Sequence, residues 1–134
     1  MDLMTYLNDH SNPMGGDNAH RRFLNYISSR LDHIGIPPDS CVFWEVAMSY
    51  NGFNIGRVDL AALDMETLYL VEAKVARKGP IRKGGELGNT RNRINRQLRK
   101  AHDFFEKLFG IDATCIGVYR RSGAQRFDSY ELYR

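Results

Sequence analysis

Three charged side chains lie where a folded chain rarely places charge. Arg57 to Val75 reads Arg-Val-Asp-Leu-Ala-Ala-Leu-Asp-Met-Glu-Thr-Leu-Tyr-Leu-Val-Glu-Ala-Lys-Val, and Asp59, Glu72 and Lys74 stand inside its apolar runs. A buried charge is costly unless it is paired or bound to a metal. The spacing indicates how these three could meet. Val58 to Leu63 and Leu68 to Val75 are β-branched and apolar, which predicts two strands, with Asp64-Met65-Glu66-Thr67 turning between them. If Asp64 faces Thr67, stepping back pairs Asp59 with Glu72. Directly opposed strand residues have Cβ atoms roughly 4.5–5.5 Å apart and share a face. Lys74 is two residues beyond Glu72, so the strand period brings it to that face as well. Two carboxylates and an ammonium would converge there, a site for a hard divalent cation and a negatively charged reacting group. The bland alternative is a hairpin with solvent-facing charges and Lys74 bridging Glu72.

Asp59, twelve intervening residues and then Glu72-Ala73-Lys74 resemble the motif of the PD-(D/E)XK nucleases, the restriction-endonuclease-like superfamily. Val58 stands where that pattern often has Pro. The context, a strand hairpin followed by a basic helix, strengthens the resemblance. It implies a restriction-endonuclease-like α/β core and a divalent-metal-dependent endonuclease. Asp59 and Glu72 would hold Mg²⁺ or Mn²⁺, with the Ala73 carbonyl as a further ligand. Lys74 would orient the attacking water and stabilise charge on the phosphate. Gln97, in the helix that follows, resembles a recurring polar element of several such families, although a Gln at a helix flank needs no function. The third acid in the family often comes from the first helix. Here that helix offers only Asp17 and Asp32, so Glu45, within Phe-Trp-Glu-Val, is the candidate. The simple register of an Asn51-Gly52 turn sets Glu45 opposite Val58, on the face away from Asp59. A one-residue bulge would restore it, and Gly56 is where one could form.

The charge distribution fits a polyanion. The 134-residue chain has a formal net charge of only +3. From Lys74 to Lys100, however, ten basic residues stand against one acid, Glu86. The rest of the chain is acidic. The candidate nucleic-acid contacts are Arg77, Lys78, Arg82 and Lys83 in a Gly-rich loop, and Arg91, Arg93, Arg96, Arg99 and Lys100 on a helix. The partner expected is DNA, branched or single-stranded forms included, cut with structural or weak sequence selectivity. Cutting two strands with so small a chain calls for two active sites, hence a homodimer. Two rival readings remain: an inactive nucleic-acid-binding module of the same fold, and a protein-interaction domain with a charged strand face.

The remaining elements form one domain of ordinary apolar content. No apolar run approaches the ~18 residues of a spanning helix. Cys41 and Cys115 lie in strand-like stretches, as reduced thiols in a cytoplasmic protein would, and His10, His20, His33 and His102 are scattered singly, against a zinc site. Residues 1–16 are expected as a separate N-terminal segment, flexible or at a dimer interface, before a single domain over 17–134. Asp17 or Asn18 caps a helix running to about His33, ended by Gly35 and Pro37-Pro38. Cys41–Tyr50 and a strand from Phe53 flank the Asn51-Gly52 turn. A helix from Asn89 or Thr90 to Phe109 carries the stripe Ile94, Leu98, Ala101, Phe105, Leu108. Thr114–Tyr119 is then a strand parallel to Leu68–Val75, and Phe127–Tyr133 an edge strand. The expected order is α-β-β-β-α-β-β, a mixed central sheet flanked by helices.

Overall fold

A computed structural model describes residues 1–76, 86–121 and 123–133. Five strands form one mixed sheet in chain order: β1 (Cys41–Tyr50), β2 (Phe53–Asp64), β3 (Thr67–Ala76), β4 (Thr114–Arg121) and β5 (Asp128–Leu132). Neighbours are antiparallel except β3 and β4, which run parallel. Parallel strands need a crossover, and α3 (Glu86–Phe109) lies in the one between them. The Asn51-Gly52 turn adopts the backbone its residues favour. Asn51 and Gly52 have φ of 51° and 80°, and Met65, in the β2–β3 turn, has φ of 52°.

Each face of the sheet buries its own apolar cluster. On one face Ile94, Leu98, Ala101 and Phe105 of α3 pack with Val58, Ala61, Leu68 and Leu70. On the other, Phe23, Leu24 and Ile27 of α2 (Ala19–Ser28) pack with Trp44, Leu60, Val71 and Ala73. Trp44 is further fixed by its indole N–H, which donates to Ser28 Oγ at 2.9 Å.

The helical layer is more divided than expected. The first sixteen residues carry a helix of their own. Residues Leu3–His10 form α1, and its Tyr6 and Leu7 are buried in the α3-side core. Tyr6 Oη donates to the Ala47 carbonyl at 2.7 Å and accepts from the Ser49 amide at 3.0 Å, so α1 is tied to β1. The single helix expected to His33 is instead α2 followed by a short 3₁₀ turn, Leu31–Ile34. The break falls at Ser28-Ser29, whose hydroxyls bond the carbonyls of Leu24 and Tyr26. Serine hydroxyls that compete for helix carbonyls weaken a helix there. Asn18 is the N-cap, its side chain accepting from the Arg21 amide at 2.8 Å. This places His20 and Arg21 in the first turn of α2.

Candidate metal centre

The β2–β3 register sets Leu60 opposite Val71, so Asp59 and Glu72 are the next pair along. Their side chains replace the ladder at that point. Glu72 Oε1 accepts from the Asp59 amide at 3.1 Å, and Asp59 Oδ2 accepts from the Ala73 amide at 2.9 Å. Each carboxylate is thus held by the other strand's backbone. Asp59 carries a further contact, its Oδ1 lying 3.3 Å from His20 Nε2. The first turn of α2 therefore reaches across β2 to the pair.

The electrostatics split the two acids. Burial alone would raise the Asp59 carboxyl. The hydrogen bond with His20, the Ala73 amide and the charges of His20 and Lys74 outweigh it, leaving Asp59 below its ordinary value. Glu72 goes the other way. Burial first, and then the negative charge of Asp59, push it from 4.5 up to about 9 against the pull of Lys74. One carboxylate is charged and its neighbour keeps a proton, the pattern of two acids sharing one site. His20 is raised, chiefly by its hydrogen bond with Asp59. Lys74 is half-buried and near enough to act electrostatically on all three.

Glu45 reaches the neighbourhood by the bulge. The β1–β2 pairing shifts between Met48–Gly56 and Ser49–Asn54, leaving Ile55 as the extra residue. Gly56 has φ of 149°, a conformation that suits glycine. Beyond the bulge Trp44 faces Leu60 and Val46 faces Val58, so Glu45 lies between them, beside Asp59. Its own φ of 49° marks a local distortion of β1. The carboxylate is taken by cations, however. Arg21 binds Oε1, and Arg57 lies 3.8 Å from Oε2. His20, not Glu45, makes the direct contact with Asp59. The local sequence does not signal this, because the docking of α2 on the sheet brings His20 and Arg21 to their partners.

The side of the sheet bearing α3 approaches the pair through a row of cross-strand neighbours, Glu72 beside Gly117 and Gly117 beside Tyr130. A Cβ at Gly117 would come within 2.4 Å of the Tyr130 ring, so the missing side chain makes room for the tyrosine. Tyr130 Oη bonds Asn95 Oδ1 at 2.6 Å, and Arg91 stacks 4.4 Å above its ring. Arg93, Arg96 and Arg99 are exposed on the same half of α3. Lys100 donates to the Ile55 carbonyl at 3.2 Å, at the bulge. Gln97 is half-buried beside Leu98 and makes no side-chain hydrogen bond among the described residues. Arg77, Lys78, Arg82 and Lys83 lie outside the described residues.

No protein-family model, curated protein or solved structure matches the chain. Among the described residues no helix is long and apolar enough to cross a membrane.

Proposed function

We propose that the chain is a divalent-metal-dependent nuclease of the PD-(D/E)XK kind, hydrolysing phosphodiester bonds in DNA. One observation carries the reading. Asp59 and Glu72 are locked face to face by each other's strands, with Lys74 at their side. This buried pair keeps one proton because burial and mutual repulsion outweigh the nearby positive charge, and a divalent cation would supply the balance. The donors fit such an ion. Asp59, Glu72 and the Ala73 carbonyl offer hard oxygen, and His20 offers one nitrogen. Bound there, Mg²⁺ or Mn²⁺ would supply Lewis acidity toward phosphate oxygen and a more acidic bound water.

The chain's own residues supply the rest. The Asp59 and Ala73 amides fix the two carboxylates before substrate arrives, which removes reorganisation from the reaction. Lys74 would supply positive charge to the phosphate as it gains charge. The arginines on the first half of α3 would hold the nucleic-acid backbone without reading bases. Such a surface suits structural or weakly sequence-specific selection, with branched or single-stranded DNA included, and a homodimer would present two sites to two strands. The reduced thiols of Cys41 and Cys115 fit a reducing compartment such as the cytoplasm.

The test is cleavage of plasmid, single-stranded and branched DNA with Mg²⁺, Mn²⁺ or chelator. Metal-dependent nicking by wild type, abolished in Asp59→Ala, is expected. The second reading is an inactive nucleic-acid-binding module of the same fold. The capture of Glu45 by Arg21 and Arg57 favours it, since that removes a third carboxylate. It takes over if wild type binds DNA but cuts neither DNA nor RNA with any divalent metal.

A further inference from the structure

A cavity of about 300 Å³ lies between the tip of the β1–β2 hairpin and the second half of α3. Its apolar wall is Tyr50, Ile55, Phe104 and Leu108. Phe104 is buried, whereas Tyr50 is 48% exposed and Ile55 42%. Phe53 stands directly opposite Tyr50 across the Asn51-Gly52 turn, so it shares that face, and it is 73% exposed. Single exposed apolar residues are ordinary. Two aromatics and an isoleucine gathered beside one cavity make a patch of the kind that marks a binding surface.

The charge around the patch indicates its occupant. Lys100 and Lys107 line the same cavity against one carboxylate, Asp103. Lys107 Nζ lies 6.0 Å from the Tyr50 ring centre. Arg93, Lys100 and Lys107, all exposed, follow one another at intervals of seven residues, close to two helical turns. They form one row along α3 with about 10 Å between neighbours. The row joins the basic first half of the helix to the cavity. An unpaired nucleotide offers the complement of both parts, a flat π-face for the aromatics and a phosphate for the cations. A base inside a duplex keeps its faces in the stack, so duplex DNA offers the row its phosphates alone.

We infer that Tyr50 and Phe53, flanked by Lys100 and Lys107, form a platform on which single-stranded DNA stacks a base. The inference rests on the nucleic-acid reading above and narrows its substrate to DNA with an unpaired strand. Ile55 precedes Asp59 by four residues on β2, about 13 Å along the strand. The platform would therefore hold the unpaired strand a short step from the acid pair.

Equilibrium binding of the full chain in chelator, where metal-dependent cutting is silenced, tests the platform. The probes are a single-stranded oligonucleotide carrying one 2-aminopurine, the same strand with abasic sugars in place of its nucleotides, and a duplex. Wild type should bind the base-bearing strand more tightly than the abasic one and quench the 2-aminopurine. Tyr50→Ala and Phe53→Ala should each weaken binding of the base-bearing strand by about tenfold, the scale of one lost base stack, and relieve the quench. Their effects on the abasic strand and the duplex should be far smaller, and Tyr50→Trp should keep both affinity and quench. Equal binding of the base-bearing and abasic strands by wild type overturns the platform, as do alanine variants that bind and quench like wild type or lose affinity equally for all three probes. The phosphate-binding role of α3 would survive those results. Wild type that binds none of the three probes overturns both. Stacking by a wild type that cuts no DNA with Mg²⁺ or Mn²⁺ supports the platform and removes the nuclease reading alone.

Discussion

The acid pair between β2 and β3 and the basic first half of α3 carry opposite charge and are built by opposite means. Glu72 is almost wholly buried, Asp59 nearly so, and each is held by a backbone amide of the partner strand. The arginines of α3 are exposed, and of them Arg91 is fixed by a stacking contact, over Tyr130. The contrast separates two requirements. Positioning an ion within a fraction of an ångström needs a rigid, desolvated frame. Attracting a polyanion needs charge density, and long exposed side chains supply it without fixed geometry. Changes to the first region should therefore be large and specific. Changes to the second should be small, graded and sensitive to salt.

The largest effects come from dividing the buried site into its parts. Asp59→Ala removes a carboxylate and frees the Ala73 amide it held, so Mn²⁺ affinity and cleavage should collapse together. Lys74→Ala removes a positive charge that competes with the cation. Metal affinity should hold or rise slightly, while single-turnover cleavage falls by about 10²–10³, the usual scale for one electrostatic stabiliser. DNA binding should persist in both variants, because the proposed contacts lie on α3. Calorimetric Mn²⁺ titration beside single-turnover cleavage separates the two. Full activity in Lys74→Ala, or joint loss of metal and activity, would remove the role assigned to that lysine.

The same contrast explains what was legible in the sequence. The Asp59–Glu72 pairing follows from one turn and a period of two, because local hairpin geometry fixes it. Glu45's place beside Asp59 needs the bulge at Ile55 and Gly56, which the glycine inside β2 foreshadows. Its capture by Arg21 was not legible, since it depends on how α2 docks across the sheet, a contact between residues 24 positions apart. The role of His20 is hidden for the same reason, a single histidine whose partner is supplied by tertiary packing. The α1 docking turns on Tyr6 Oη reaching Ala47 and Ser49, more than forty residues away. The basic half of α3 was readable from composition alone, because a charged surface needs no register.

A second, intermediate effect tests burial through pH. In the metal-free protein Glu72 is pushed up to about 9, against 4.5 when exposed to water. Between those values the folded state holds a proton that the unfolded chain releases. The folded state binds more protons, so stability falls as pH rises across that window. His20 acts in the same direction. Its folded value is raised, so its contribution is complete below its unfolded value of 6.5 and is lost as pH climbs through the folded one. Asp59 opposes them only in acid, its contribution present above 3.8 and lost as pH falls through its lowered value. The melting temperature in chelator should therefore decline from mildly acidic to alkaline pH. Glu72→Gln should flatten that decline, and saturating Mn²⁺ should flatten it in wild type. Equal slopes for wild type and Glu72→Gln would show that the carboxyl is not held as its burial indicates.

The smallest effect belongs to the exposed region and is measured by salt. Each phosphate contact to duplex DNA contributes about 0.9 to the slope of log affinity against log salt. Arg91, Arg93 and Arg96 neutralised together to Gln should lower the slope by about that amount for each phosphate they no longer neutralise, for any DNA sequence. Cleavage at saturating DNA should stay near wild type, because Asp59, Glu72 and Lys74 are untouched. Arg91 allows a finer division. Its stack on Tyr130 holds the guanidinium over the ring that packs on Gly117, beside Glu72 in the next strand. Arg91→Lys keeps the charge and loses the planar stack, so its slope should match wild type while cleavage below saturation weakens modestly. If the triple variant keeps the wild-type slope, the charge on α3 is a solvated face. If Arg91→Lys changes the slope as much as Arg91→Gln does, Arg91 acts through the Tyr130 stack and not through its charge.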